Sequence, residues 1–170
     1  MKKKIILITG GQRSGKSSYA MKLALSNSDK PMYLATSAPW DEEHQKRIKR
    51  HQHDRGSNWT TIEELRDIQV VNVEQKVVVI DCLTLWTTNF LNDHEGNIDT
   101  ILSEITSRFD AFTKQNALFI FVTNEIGLGG VSANALQRKF TDLLGWVNQH
   151  VTSKADEVFL MISGIPIKIK

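Results

Sequence analysis

Lys4-Ile5-Ile6-Leu7-Ile8-Thr9-Gly10-Gly11-Gln12-Arg13-Ser14-Gly15-Lys16-Ser17 joins an apolar run to a glycine-bracketed turn. The turn fits G-x-x-x-x-G-K-[ST], with Gly10, Gly15, Lys16 and Ser17 at the fixed positions. Each residue type has a physical reason to be there. Glycines let the backbone wrap tightly, so that successive N–H groups point inward at phosphate oxygens. Lys16 is placed to reach the β- and γ-phosphates of a nucleoside triphosphate, and the Ser17 hydroxyl to take a position on Mg²⁺. Downstream, Tyr19, Ala20, Leu23 and Ala24 fall at helical spacing, which predicts a helix over 17–25 whose N-terminal partial charge favours the same anion. A glycine turn without a ligand would not need this strand–loop–helix setting.

Working outward, apolar β-branched runs recur at Pro31–Thr36, Val77–Asp81, Leu118–Thr123 and Glu157–Ser163. Near-continuous apolar strands of this kind belong to a sheet covered on both faces. Between them lie helical stripes: Ile98, Ile101, Leu102, Ile105, Phe109 and Phe112, then Leu136, Phe140, Leu143, Leu144, Val147 and Val151. Strand–helix alternation predicts an open α/β sheet, mostly parallel. Together with the glycine turn it points to the P-loop NTPase fold of the RecA-like, three-layer kind. Gly164-Ile165-Pro166-Ile167-Lys168-Ile169-Lys170 alternates after a glycine and predicts an antiparallel edge strand. No repeat or linker divides the chain, so residues 1–170 are read as one domain. A phosphate loop also wants a carboxylate near Mg²⁺ at the end of a neighbouring strand; Asp81 supplies it, unless it merely caps the following helix.

Bulk properties set outer bounds. With 170 residues and 41% hydrophobic content the chain can bury a core without disulfides or a structural metal. Its net charge of +2 is too small to argue for nucleic acid. The single cysteine, Cys82, cannot form an internal disulfide and reads as a buried, inert thiol in a reducing compartment. The apolar stretch after Lys2-Lys3-Lys4 spans four residues before Thr9, too short for a signal peptide. No run approaches the roughly 20 residues of a membrane span. The expectation is a soluble, cytoplasmic protein.

The segment 41–55 begins acidic and ends basic, as suits a helix macrodipole, and places His44, Arg47, Ile48, His51 and Arg55 on one face. His44 and His51 would lie about 10 Å apart along the axis, too far to share one zinc ion. A neutral imidazole flanked by cations can attack phosphorus, although a lone histidine on a charged helix is more often a solvated residue.

With these residues laid out, the chain resembles the bifunctional adenosylcobinamide kinase / adenosylcobinamide-phosphate guanylyltransferase family of cobalamin biosynthesis. The resemblance runs through Thr9–Ser17, Tyr33–Ser37, Asp41-Glu42-Glu43, Arg47–His51, Arg55, Trp59, Glu63, Asp81–Trp86, Asn89, Val122–Gly127, Asn148-Gln149, Ala155–Val158 and Ser163–Pro166. It implies two reactions: transfer of a γ-phosphoryl group from ATP or GTP to adenosylcobinamide, then transfer of GMP from GTP to adenosylcobinamide phosphate, with Mg²⁺. It implies His51 as the residue that carries GMP, with Lys16 serving both steps. It further implies that Gly10, Gly11, Gln12, Arg13, Ser14, Gly15, Lys16, Ser17, Ala35, Thr36, Ser37, Gln52, His53, Asp54, Arg55, Glu63 and Leu85 line the nucleotide site, with Ser17 and Asp81 toward the metal. A homotrimer is the assembly the resemblance implies. The chain departs from the family at Arg55-Gly56, where many relatives have Arg-Pro, and at Val131-Ser132, where a proline is common in place of the serine. Both changes loosen loops without removing a reacting group. Two rival functions remain for the residues alone: a P-loop kinase of another small hydroxylated metabolite, and a nucleotide-dependent switch or DNA-linked ATPase.

Overall fold

In the computed structural model, residues 1–37, 56 and 58–170 are described. The elements run β1 (Lys4–Gly10), α1 (Lys16–Leu25), β2 (Met32–Ala35), β3 (Thr60–Glu63), β4 (Val77–Asp81), α2 (Leu83–Thr88), α3 (Ile98–Phe112), β5 (Leu118–Val122), α4 (Ala135–Lys154), β6 (Glu157–Ile162) and β7 (Ile165–Lys168). They build a seven-stranded sheet in the order β3-β2-β4-β5-β1-β6-β7. Every neighbouring pair is parallel except β6 with β7, so the expected antiparallel edge is present.

Alternate side chains of each central strand face opposite layers, because the strand period is two. Ile5, Leu7, Leu34, Val78, Ile80, Phe119 and Phe121 pack under α2, α3 and α4. Ile6, Ile8, Tyr33, Val77, Val79, Ile120 and Val122 pack under α1. The two long helices begin where the sequence offers caps: the Asn97 side chain accepts a hydrogen bond from the Thr100 N–H at α3, and Asn134 accepts from Gln137 at α4. The result is the three-layer architecture anticipated from the apolar runs.

The structure adds one strand and corrects one expectation. β3 was not anticipated, since Thr60-Thr61-Ile62-Glu63 is mostly exposed and carries only one apolar residue, which packs against the core. Leu136, expected on the buried stripe of α4, is exposed. That helix has 20 residues, about 30 Å, against strands of four to seven residues, so its first turn overhangs the sheet.

Candidate active site

Parallel strands bring their C-terminal ends to one edge of the sheet, where an open α/β fold places ligands. Gly10 ends β1; Ala35 ends β2 and is in register with both Glu63 at the end of β3 and Asp81 at the end of β4. Sequence-predicted residues from distant segments therefore meet at that edge.

The phosphate loop spans β1 and α1, and its two fixed glycines are required sterically. Gly10 has φ 146°, and a Cβ there would sit 2.6 Å from the Met161 carbonyl oxygen of β6. Gly15 has φ 94°, and a Cβ would sit 3.2 Å from Gly164 Cα in the β6–β7 turn. The Gly164 N–H donates to the Ser14 carbonyl at 3.0 Å, so the terminal hairpin props the loop from behind. No side chain caps the start of α1, which leaves its first N–H groups for an anion. Gly11, Gln12 and Arg13 are exposed along the loop, and Ser14 is buried.

Lys16 is only 7% exposed. Its Nζ donates to the Gly11 carbonyl at 2.5 Å and reaches Ser14 Oγ at 3.5 Å, and it forms no ion pair with any described residue. Burial holds its pKa below the ordinary lysine value, with the Asp81 carboxylate pulling in the opposite direction. Ser17 Oγ donates to Asp81 Oδ2 at 3.0 Å, and the Tyr33 hydroxyl donates to the same oxygen at 2.7 Å. A hydroxyl and a carboxylate this close form a hard-oxygen pair of the sort Mg²⁺ accepts while keeping most of its water. Asp81 ends its strand, and the residue that precedes α2 is Cys82, whose own side chain makes no capping bond, so Asp81 does not cap that helix.

Of the remaining predicted positions, Ala35, Thr36, Ser37, Glu63 and Leu85 fall among the described residues. The Thr36 hydroxyl donates to the Cys82 carbonyl at 3.0 Å, while Asn89 Nδ2 donates to the carbonyls of Thr36 and Leu65 at 2.7 and 2.6 Å. These bonds tie the Ala35–Ser37 segment to both ends of α2, whose Leu85 packs against the α1-side core. Glu63 is exposed at the edge. His51, Gln52, His53, Asp54 and Arg55 lie outside the described residues, as does the helix expected over 41–55. Cys82 is buried and its thiol pKa is pushed up to about 12, chiefly by burial, which makes it inert. Among the described residues, no three His, Cys, Asp or Glu side chains gather into a metal cluster. No helix among them is long and apolar enough to cross a membrane.

Sequence reasoning missed two site features. Tyr33 holds Asp81 and meets Trp59 edge-on with ring centroids 6.2 Å apart. Glu125, just beyond β5, accepts from the Thr9 hydroxyl at 2.8 Å. Periodicity placed Tyr33 in a strand and could say nothing of a hydroxyl reaching another strand's end.

The profile of the family described as cobinamide kinase / cobinamide phosphate guanyltransferase matches residues 6–169. The chain belongs to this family. The "Bifunctional adenosylcobalamin biosynthesis protein CobU" of Escherichia coli (strain K12) is 37% identical over 181 aligned positions, covering 98% of this chain and 99% of that protein. The "Bifunctional adenosylcobalamin biosynthesis protein CobP" of Pseudomonas aeruginosa is 32% identical, covering 96% of each chain. Among solved structures, an ATPase from the type III secretion system of pathogenic bacteria superposes with a TM-score of 0.50 at 10% identity, covering 97% of this chain and 56% of that one. That likeness concerns the fold, which is that of a P-loop NTPase. The matched span takes in the loop, the Asp81 strand end and the Thr123-Asn124-Glu125 segment.

Proposed function

We propose that this chain phosphorylates adenosylcobinamide with a nucleoside triphosphate and then transfers GMP from GTP to the adenosylcobinamide phosphate so formed. The observation that carries this reading is the buried Lys16 ammonium, held by a carbonyl and a hydroxyl and paired with no described carboxylate. A desolvated cation hydrogen-bonded only to neutral groups is costly, and an incoming triphosphate relieves that cost. Membership of a kinase/guanyltransferase family supplies the two chemistries that such a cradle would serve.

In the first reaction the loop N–H groups and Lys16 hold the β- and γ-phosphates and stabilise the charge that builds on them. Ser17 and Asp81 would hold Mg²⁺, which when bound neutralises charge on the β- and γ-oxygens. Tyr33 keeps the Asp81 carboxylate oriented through its hydroxyl. In the second reaction the His51 imidazole attacks the α-phosphorus of GTP, pyrophosphate leaves, and the acceptor phosphate then displaces the histidine. Two displacements replace one direct encounter between highly charged anions. Ala35, Thr36, Ser37, Gln52, His53, Asp54, Arg55, Glu63 and Leu85 complete the nucleotide site in this reading. The same reading takes ATP or GTP as phosphoryl donor, a homotrimer as the assembly and the cytoplasm as the location, without nucleic acid as a partner.

Intact-mass measurement after incubation with GTP and Mg²⁺ tests the proposal. One added GMP, acid-labile and alkali-stable, is expected on the wild-type protein and absent from His51→Asn. Equal labelling of the variant would remove His51 as the nucleophile.

A further inference from the structure

β5 lies between β1, which carries the phosphate loop, and β4, which carries Asp81. The segment leaving β5 therefore emerges between the cradle and its metal-side carboxylate. That segment is Thr123-Asn124-Glu125. The Glu125 N–H donates to the carbonyl of Gly10, the first loop glycine, at 3.3 Å. Its main chain thus borders the cradle directly.

The carboxylate is held unevenly. Oε1 accepts from Thr9 Oγ1 at 2.8 Å and from Asn148 Nδ2 at 3.2 Å. Asn148, 5% exposed on α4, also donates to the Asn124 carbonyl at 3.1 Å and accepts from the Thr123 hydroxyl at 2.8 Å. Thr9 and Thr123 are themselves buried, at 4% and 0% exposure. Thr9 and Asn148 grip one oxygen of Glu125 directly, and Thr123 steadies Asn148 behind it. Oε2 takes no hydrogen bond and no ion pair from any described residue. A carboxylate beside an anion-binding loop repels the phosphates that the loop attracts, so its presence there needs a chemical reason.

The two proposed reactions differ in what the acceptor must lose. In the kinase step the acceptor is an alcohol, whose O–H proton has to leave as the oxygen bonds to phosphorus. In the guanylyl step the acceptor is already a phosphate anion and has no such proton to give up. We propose that Glu125 is the general base of the kinase step alone. The acceptor oxygen forms a bond to the γ-phosphorus, and the bond from that phosphorus to the β,γ-bridging oxygen breaks. Its electron pair leaves with the nucleoside diphosphate, and the hydroxyl proton passes to the Glu125 carboxylate and then to water. Thr9 and Asn148 act as positioning residues by holding the first oxygen so that the second is presented.

This inference rests on the proposed function, and its test separates the two. Glu125→Gln keeps an acceptor oxygen for Thr9 and Asn148, so the fold and the loop should survive. The variant is assayed for phosphorylation of adenosylcobinamide and, separately, for GMP transfer from GTP to chemically supplied adenosylcobinamide phosphate. The kinase kcat should fall by about 10²- to 10⁴-fold, and the acid limb of the kinase pH profile seen in wild type should disappear. GMP transfer should persist, which also reports an intact fold. A variant with near wild-type kinase kcat and the same acid limb would overturn the role of Glu125 and leave the proposed function standing. Equal loss of both activities would overturn the selective role and assign Glu125 to loop architecture. A wild-type protein with neither activity would overturn the proposed function, and this inference with it.

Discussion

The two ends of the same sheet treat their polar groups in opposite ways. At the N-terminal ends of the strands the networks close on themselves. Gln115 accepts from the Val73 N–H at 2.7 Å and donates to the Val71 carbonyl at 3.0 Å, satisfying the turn that leads into β4. Glu74 binds both the main-chain and side-chain N–H groups of Asn116, and Asp156 takes the Ile5 N–H at 2.7 Å. At the C-terminal ends the networks stop short. Lys16 folds onto its own loop, Asp81 accepts from two hydroxyls and forms no ion pair with a described residue, and Glu125 is tied by one oxygen. Closed networks serve the fold, whereas charges that meet only neutral hydrogen-bond partners among the described residues are the ones a charged ligand can engage.

The sharpest way to break this comparison is Lys16→Ala. If the C-terminal edge is built for an incoming anion, phosphoryl transfer to adenosylcobinamide should fall by about 10³-fold or more. Thermal stability should hold or rise, because a desolvated ammonium has been removed. Steady-state assays and melting curves read the two effects separately. Retained turnover would refute the cradle; a collapsed melting temperature would make Lys16 a structural residue like those at the opposite edge.

How much of this was legible in the sequence depended on how local the physics is. The loop could be read whole because its eight residues are contiguous, and each fixed position answers to one requirement of phosphate binding. The central strands were legible through their apolar runs, and the final hairpin through alternation after Gly164. β3 was not, since Thr60–Glu63 lies at a sheet edge with three exposed residues and gives no periodic signal. The six-residue α2 is too short for a stripe to show. The Thr9–Glu125–Asn148 convergence joins residues 116 and 23 positions apart, which no spacing rule detects. The same holds for the contact between Gly15 and Gly164: the motif demands a glycine, but only the fold shows that a hairpin from the far end of the chain presses against it.

A smaller effect sharpens the comparison from the other end. Gln115→Ala would strand the N–H of Val73 and the carbonyl of Val71, two residues whose own side chains are buried. Losing partners for such groups costs about 1–3 kcal/mol. The expected result is a lower urea midpoint with kinase kcat and KM unchanged. A loss of activity out of proportion to the loss of stability would mean that the two edges are coupled through β4 and β5.

The smallest effect belongs to Glu157 at the start of β6, the strand whose far end presses on the loop. Its carboxylate pairs with Lys4 at 2.6 Å and Lys168 at 3.4 Å, both lysines being partly exposed. The Lys4 hydrogen bond is the main cause that lowers its pKa below the ordinary glutamate value. A carboxyl with a depressed folded-state pKa contributes stability above its unfolded pKa and loses that contribution as pH falls through the folded one. Exposure and screening keep the contribution under about 1 kcal/mol. Glu157→Gln should therefore lower the urea midpoint slightly at neutral pH, and the difference from wild type should vanish once acid has protonated Glu157 in the folded protein. Nucleotide affinity should not move at either pH. If it did, the ion pair would be steering the Ser163-Gly164 turn against the loop, and the N-terminal edge could no longer be treated as fold alone.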